Sequence, residues 1–400
     1  MFLLKQEALQ LLWSHLEENP TFEQFRIVEG RPLHQFAVFC ALAEAYGSSW
    51  RQWPSAYRHA DSRDVEQFAH AHADRVEFHT WLQWLLNQQL AQASKSVPLM
   101  QDLPVGFSPD GADAWVWQDL IAADMRIGAP PDLYNAEGQD WGLPPFIPHR
   151  LREAGYEPFI QTIRAVLRHA GGLRIDHVMR LFRLWWVPQE QIAKDGAYVR
   201  YHAEDLLAII AIESQRAGAI VVGEDLGTVE PGVREQLADH NVLSYRLLWF
   251  EDTPPSQYPE KALAAITTHD LPTLAGVWTG MDLETQRHLG LNPDASANER
   301  FREKIHQTSN LDADADVTLA ITNTFEQLAQ APSAIVMASM EDASVTHERP
   351  NMPAAGVKYP NWCLALPLPL ENIESSEISL RLATILNRRS ETKENTCRVD

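Results

Sequence analysis

The chain has 400 residues, of which 45% are hydrophobic, so it is long enough for one large α/β barrel or two medium-sized domains. Its 33 basic and 54 acidic residues give a net charge of −21, which argues against nucleic acid and anionic membranes as partners, because both bind basic surfaces. The cysteines Cys40, Cys363 and Cys397 lack metal-ligand spacing, and their odd number favours a reducing, cytoplasmic location. No apolar run is typical of a signal peptide or of a membrane span.

The first 95 residues carry the spacing of amphipathic helices. Apolar side chains such as Leu9, Leu12, Trp13 and Leu16 recur every three or four positions, with polar side chains between them. This pattern predicts a helical subdomain over residues 1–95.

From residue 96 onward, short apolar runs alternate with helical stretches, which is the pattern of a parallel sheet. The runs that we interpret as strands are residues 97–100, 172–176, 219–224, 242–247, 264–270 and 334–338. Several of them end in charged residues, as the strands of a (β/α)₈ TIM-type barrel do where they carry catalytic groups. We therefore predict an incomplete barrel with about six of its eight strands, and with the first and last runs at the open edges. The barrel portion spans 96–388, and a polar tail follows over 389–400.

Three carboxylates follow these strands: Asp176, Glu224 and Asp270. Arg174 lies two residues before Asp176 and therefore points to the same side of its strand, where it can orient the carboxylate of a nucleophile. Glu224 follows an apolar run and a glycine, a setting in which desolvation favours the protonated form that a general acid requires. One such carboxylate is commonly a helix cap, but three at successive strand ends indicate a catalytic site.

Short motifs around these carboxylates resemble a known family. The stretches RIDH at 174–177, GEDLG at 223–227 and THD at 268–270 resemble the motifs of strands four, five and seven in the α-amylase clan, in the form found in amylomaltases (4-α-glucanotransferases). GAPPDLYNAEGQDWG at 128–142 is similar to that family's substrate-covering loop. YPNW at 359–362 and LPLPL at 366–370 are similar to its C-terminal signature.

The resemblance implies a retaining enzyme that transfers α-1,4-glucan segments between maltodextrins, with no metal and no organic cofactor. Asp176 would be the nucleophile, Glu224 the general acid and then base, and Asp270 the group that stabilises the oxocarbenium-like transition state. It also implies sugar-binding or carboxylate-holding roles for Asp102, Tyr134, Gln139, Trp141, Arg174, His177, Asp225 and His269. We interpret Trp141 as a sugar-stacking residue of the covering loop.

The match to the family covers residues 97–388, and residues 1–95 resemble its helical insertion only in general character. Family members have an upstream portion that supplies the first two barrel strands, so we expect a truncated chain, with a complementing N-terminal fragment as a candidate partner. Two alternatives stay open at this point. One is a hydrolase of the same clan, and the other is an inactive, glucan-binding remnant.

Overall fold

The computed structural model describes residues 2–131 and 137–396. The chain divides into two compact units, Met1–Val221 and Val222–Asp400. The boundary predicted at residue 95 lies inside the first unit, where a long helix ends at Ser96.

The first unit begins with helices, as the spacing predicted, and continues with strands and helices in alternation. Its elements are α1 Phe2–Ser14, α2 Pro20–Tyr46, α3 Arg63–Ala71, α4 Ala73–Ser96, β1 Met100–Leu103, α5 Ala112–Val116, β2 Met125–Ala129, β3 Gln139–Leu143, α6 Pro148–Glu153, α7 Glu157–Leu167, β4 Gly172–Ile175, β5 Arg183–Pro188, β6 Ala197–Arg200 and α8 Ala203–Ala217. Strand β7, Ile220–Gly223, contains the division between the units.

The second unit is mostly helical in the part that the structure describes. Its elements are α9 Val233–Asp239, β8 Val242–Leu247, β9 Ala262–Ala265, α10 Leu274–Thr279, α11 Met281–His288, α12 Ala295–Ser309, α13 Val317–Leu328, β10 Ile335–Val336, α14 Met340–Ala343, α15 Leu370–Glu374 and α16 Glu377–Thr396. The polar tail predicted from residue 389 therefore begins within α16.

The initial helices pack around a buried aromatic core. Asn19 caps α2 by accepting hydrogen bonds from the backbone N–H groups of the first turn, which satisfies donors that have no partner inside the helix. Leu42, Trp53 and Trp115 are fully buried together in this core. Burial of large aromatic side chains is a principal source of stability, so the core fixes the helices ahead of β1.

The main sheet has six strands in the order β1-β4-β7-β8-β9-β10. The pairs β1–β4, β8–β9 and β9–β10 are parallel. The predicted fold class, six strands of a barrel-type parallel sheet with the first and last at its edges, is confirmed. The first strand begins at Met100 rather than at residue 97, because α4 continues to Ser96 and Pro98 lacks a backbone donor.

A second sheet, which the sequence did not predict, lies within the first unit. It has four strands in the order β3-β2-β5-β6, and its pairs are antiparallel. A side chain at Gly128 would overlap the carbonyl oxygen of Gln139, so glycine permits the close pairing of β2 and β3. Gln139 and Trp141 consequently lie on a strand, and not in the loop that we inferred from the motif.

The core of the second unit lies under α10, α12 and α13. Phe325 and Ile321 of α13 are fully buried against Trp278 of α10, and Leu382 and Ile385 of α16 join the same cluster. These side chains recur at helical spacing, so α16 packs one apolar face on the unit. Among the described residues, no helix is both long and apolar enough to cross a membrane.

Candidate active site

Asp176, Glu224 and Asp270 each come shortly after the carboxyl end of a strand of the six-stranded sheet, namely β4, β7 and β9. This is the end at which barrel enzymes carry catalytic groups. The run predicted over 264–270 is shorter in the structure, because β9 ends at Ala265 and Asp270 lies in the turn that follows. The side chains that surround them are described below for each unit by itself.

In the first unit, Arg174 links two carboxylates. The parallel register places Asp102 of β1 opposite Arg174 of β4, and Arg174 Nη1 donates to both carboxylate oxygens of Asp102 at 2.7 and 2.8 Å. Its Nη2 donates to Asp176 Oδ1 at 3.0 Å. Charge-assisted hydrogen bonds from a rigid guanidinium fix geometry well, so the Asp176 carboxylate is held in a defined orientation while staying partly open to solvent.

His177 follows directly and adopts a left-handed backbone conformation with φ 46°. Burial lowers the pKa of His177 to about 4, although the Asp176 carboxylate acts in the opposite direction. At neutral pH the imidazole is therefore uncharged, and one of its nitrogens carries a hydrogen while the other is an acceptor. The Trp141 ring stands edge-on to it, with ring centroids 5.3 Å apart.

Trp141 is oriented by its own strand. Its indole Nε1 donates to Gln139 Oε1 at 3.0 Å, so the structure brings Gln139, Trp141 and His177 together at one end of β3. Tyr134, which was predicted alongside them, lies outside the described residues.

In the second unit, Glu224 and Asp225 follow β7 and differ in environment. Glu224 is half-buried, and its Oε1 accepts the backbone N–H of Leu226 at 2.7 Å. Asp225 is fully buried, with Oδ2 accepting from Arg234 Nε at 2.7 Å and Oδ1 from the backbone N–H of Tyr245 at 2.8 Å. Both Asp225 oxygens are occupied within the protein, so this side chain joins α9 and β8 to the end of β7.

Asp270 is held by a segment that is distant in sequence. Asn351 Nδ2 donates to Asp270 Oδ1 at 2.6 Å, and Arg349 Nη1 donates to the Asp270 carbonyl oxygen at 3.1 Å. His269 Nε2 lies 3.3 Å from Asp270 Oδ2. The exposed ring of Trp362 is tilted against the His269 ring, with centroids 5.0 Å apart.

Sequence reasoning missed Arg349 and Asn351 as neighbours of a catalytic candidate. The only signal available was the motif YPNW at 359–362 just after them, which carried family resemblance but no chemical role. In the described part of the chain, no group of three or more His, Cys, Asp or Glu side chains is placed to hold a metal ion.

Comparisons with known proteins show the family of the chain. The family model for 4-alpha-glucanotransferase, glycoside hydrolase 77, matches residues 1–369. The 4-alpha-glucanotransferase of Mycobacterium tuberculosis is 40% identical over an alignment 410 residues long, gaps included. The alignment covers 94% of this chain and 56% of the relative. The 4-alpha-glucanotransferase of Haemophilus influenzae is 35% identical over an alignment 423 residues long, which covers 94% of this chain and 60% of the relative.

Two solved amylomaltases have a similar fold. The enzyme from Corynebacterium glutamicum superimposes with a TM-score of 0.84 at 33% identity, covering 96% of this chain and 58% of that one. The amylomaltase from Streptococcus agalactiae in complex with acarbose gives a TM-score of 0.76 at 19% identity, covering 92% of this chain and 74% of that one, and it supports the fold alone.

The parallel sheet and the carboxylates after its strands define a protein of the barrel-enzyme class. Within that class, the chain belongs to glycoside hydrolase family 77, the 4-alpha-glucanotransferases. It spans 56% of the length of the mycobacterial relative that it matches.

Proposed function

We propose that this chain carries out retaining 4-α-glucanotransfer between maltodextrins. The observation that carries the proposal is the Asp102–Arg174–Asp176 chain of hydrogen bonds at the ends of β1 and β4. A carboxylate that is both oriented by arginine and open to solvent suits a nucleophile toward a sugar.

The reaction would proceed in two displacements. Asp176 attacks the anomeric carbon of the donor, while Glu224 gives a proton to the departing glycosidic oxygen. The same Glu224 then takes the proton from the 4-hydroxyl of an acceptor sugar, whose oxygen displaces Asp176. Each displacement inverts the anomeric carbon, so the α-linkage is retained.

The other predicted residues would bind and orient the sugars. Asp270, fixed by Asn351, accepts hydrogen bonds from the hydroxyls of the distorted ring and so favours the oxocarbenium-like transition state. Trp141 offers an aromatic face and His177 a neutral donor and acceptor, both suited to a carbohydrate. The buried Asp225 acts indirectly, by fixing the backbone next to Glu224.

The substrates of this activity would be maltodextrins. A polypeptide that carries the family's N-terminal portion is a candidate partner, and the experiment below tests it. We place the reaction in the cytoplasm. Cys40 and Cys363 are both free thiols, which fits a reducing compartment.

The test uses the whole chain with maltotriose as donor and acceptor, alone and with the purified N-terminal portion of the mycobacterial relative. Transfer conserves the number of reducing ends while producing glucose and longer maltodextrins, whereas hydrolysis raises that number. We expect longer products with constant reducing ends. A net rise in reducing ends would identify a hydrolase, and no reaction under either condition, combined with maltoheptaose binding, would identify an inactive binding protein.

A further inference from the structure

A buried ion pair stands directly behind Asp270 in the second unit. Arg349 Nε donates to Asp282 Oδ1 at 2.8 Å, and Arg349 Nη2 donates to Asp282 Oδ2 at 2.6 Å. The side chains are only 9% and 2% exposed. This two-point contact locks the plane of the guanidinium group.

The remaining guanidinium nitrogen of Arg349, Nη1, contacts Asp270 of the candidate active site. Arg349 Nη1 donates to the carbonyl oxygen of Asp270. Two residues later, Asn351 donates its side-chain amide to the Asp270 carboxylate and its backbone N–H to the carbonyl oxygen of His269, at 2.6 and 3.1 Å respectively. The segment 349–351 therefore fixes both the backbone and the carboxylate of Asp270.

The same segment is anchored from its other side. The Tyr359 hydroxyl donates to the carbonyl oxygen of Arg349 at 2.8 Å. A side chain at Gly276 of α10 would overlap the carbonyl oxygen of His347, so the chain runs in close contact with α10 just before Arg349. These contacts leave Arg349 little freedom to move relative to Asp270.

Stability alone does not account for this ion pair. Removing two charges from water costs about as much as their attraction returns, and apolar replacement of a whole buried pair is often neutral or stabilising. A fixed donor to the Asp270 backbone is something that an apolar pair could not supply.

We propose that Arg349, held by Asp282, is a positioning residue that sets the orientation of Asp270 for transition-state stabilisation. The inference rests on the proposed transfer function for its kinetic consequence. Its geometric consequence, an ordered turn at His269 and Asp270, holds whether or not the chain alone is active.

The decisive variant replaces both partners, Arg349→Met with Asp282→Leu. Because no buried charge is left unpaired, we expect its urea midpoint to equal or exceed that of the parent chain. We expect kcat for maltotriose transfer to fall about 10- to 100-fold, as for a displaced catalytic group, with KM changed less than about twofold. The control is Arg164→Met with Glu213→Leu, which removes an ion pair between α7 and α8 in which Glu213 is buried and Arg164 is partly exposed. It should leave kcat unchanged.

Hydrogen exchange at the Asn351 amide supplies a readout that does not depend on activity. We expect this amide to exchange faster in the Arg349/Asp282 double variant than in the parent, while amides of the α13 core stay protected. A parent chain without transfer would contradict the proposed function, and the exchange result would then decide the positioning role by itself.

A stable double variant that keeps the parental kcat, or that keeps the parental Asn351 exchange rate, would overturn the proposal. If the double variant does not fold, Arg349→Lys serves instead. Lysine keeps a positive charge beside Asp282. It lacks the planar guanidinium group whose several N–H donors reach Asp282 and the Asp270 carbonyl oxygen at the same time. It should lower kcat with KM unchanged, and unchanged kcat would count against the role.

Discussion

Two carboxylates in the chain have different neighbours and should respond differently to substitution. Asp176 accepts a hydrogen bond from the Arg174 guanidinium, and Glu224 accepts one from the backbone N–H of Leu226. The proposed mechanism gives them different roles, with Asp176 as the nucleophile and Glu224 as the general acid and base. The two roles can be separated by the choice of leaving group.

Replacing Glu224 with Gln should lower transfer from maltotriose by about 10²- to 10⁴-fold, since a sugar leaving group needs its proton. With α-maltosyl fluoride as donor, the same variant should still release fluoride, because fluoride leaves without protonation. Asp176→Asn should release none, since an amide cannot form the covalent intermediate. Fluoride release is measured with an ion-selective electrode. Equal loss of fluoride release in both variants would contradict these assignments.

At the scale of elements, the two ends of the segment that resembles a covering loop belong to strands β2 and β3. Pairing with β2 places Gln139 and Trp141 on β3, where the Trp141 indole is hydrogen-bonded and contacts His177. A strand holds an aromatic ring more firmly than a loop does. In the proposed function, the ring would receive an acceptor sugar without first becoming ordered.

Trp141→Ala should shift the balance from transfer toward hydrolysis. Loss of one stacked ring costs about 1 kcal/mol, so the ratio of hydrolysis to transfer should rise about fivefold as water competes for the glycosyl-enzyme. The ratio is obtained from reducing ends and product lengths with maltotriose. Trp141→Phe, which keeps an aromatic face, should restore most of the parental ratio. An unchanged ratio in a folded Trp141→Ala variant would assign the ring a purely structural role.

At the scale of the whole molecule, a buried carboxyl group links pH to stability. Asp342 Oδ1 accepts the backbone N–H of Leu274 at the start of α10, while Oδ2 has no hydrogen-bond partner among the described residues. Burial raises the pKa of Asp342 from 3.8 to about 6, against the hydrogen bonds from Ser339 and Leu274. Because the folded pKa is raised, the contribution of Asp342 to stability is complete below pH 3.8 and is lost as the pH rises through 6.

Asp342→Asn cannot ionise and should gain stability relative to the parent as the pH rises from 4 to 7, by on the order of 2 kcal/mol. The measurement is the free energy of urea unfolding at pH 4, 5.5 and 7. Asp294→Asn provides a control of opposite sign. Hydrogen bonds from Ser296 and Ala297 lower the pKa of Asp294, an exposed helix cap. The free energy of unfolding of the parent, relative to that of Asp294→Asn, should therefore decrease as the pH falls. A difference between Asp342→Asn and the parent that does not vary with pH would contradict the expected coupling.

The amino-acid sequence by itself determined the parallel strands, the initial helices and the three carboxylates after strands β4, β7 and β9. Each of these rests on information carried by neighbouring residues, such as an apolar run, a helical spacing or a charged residue after a strand. The family motifs are equally local, because each spans only a few consecutive positions. These features could therefore be identified before any contact was known.

Only the tertiary structure decided what surrounds those carboxylates. Asn351 is 81 positions from Asp270 in sequence, and Arg349 is 67 positions from Asp282. The burial of Asp225 likewise depends on Tyr245, 20 positions away. Such contacts form because helices and strands pack in a particular arrangement, and no periodicity along the chain records which distant side chains that packing will bring within hydrogen-bond distance.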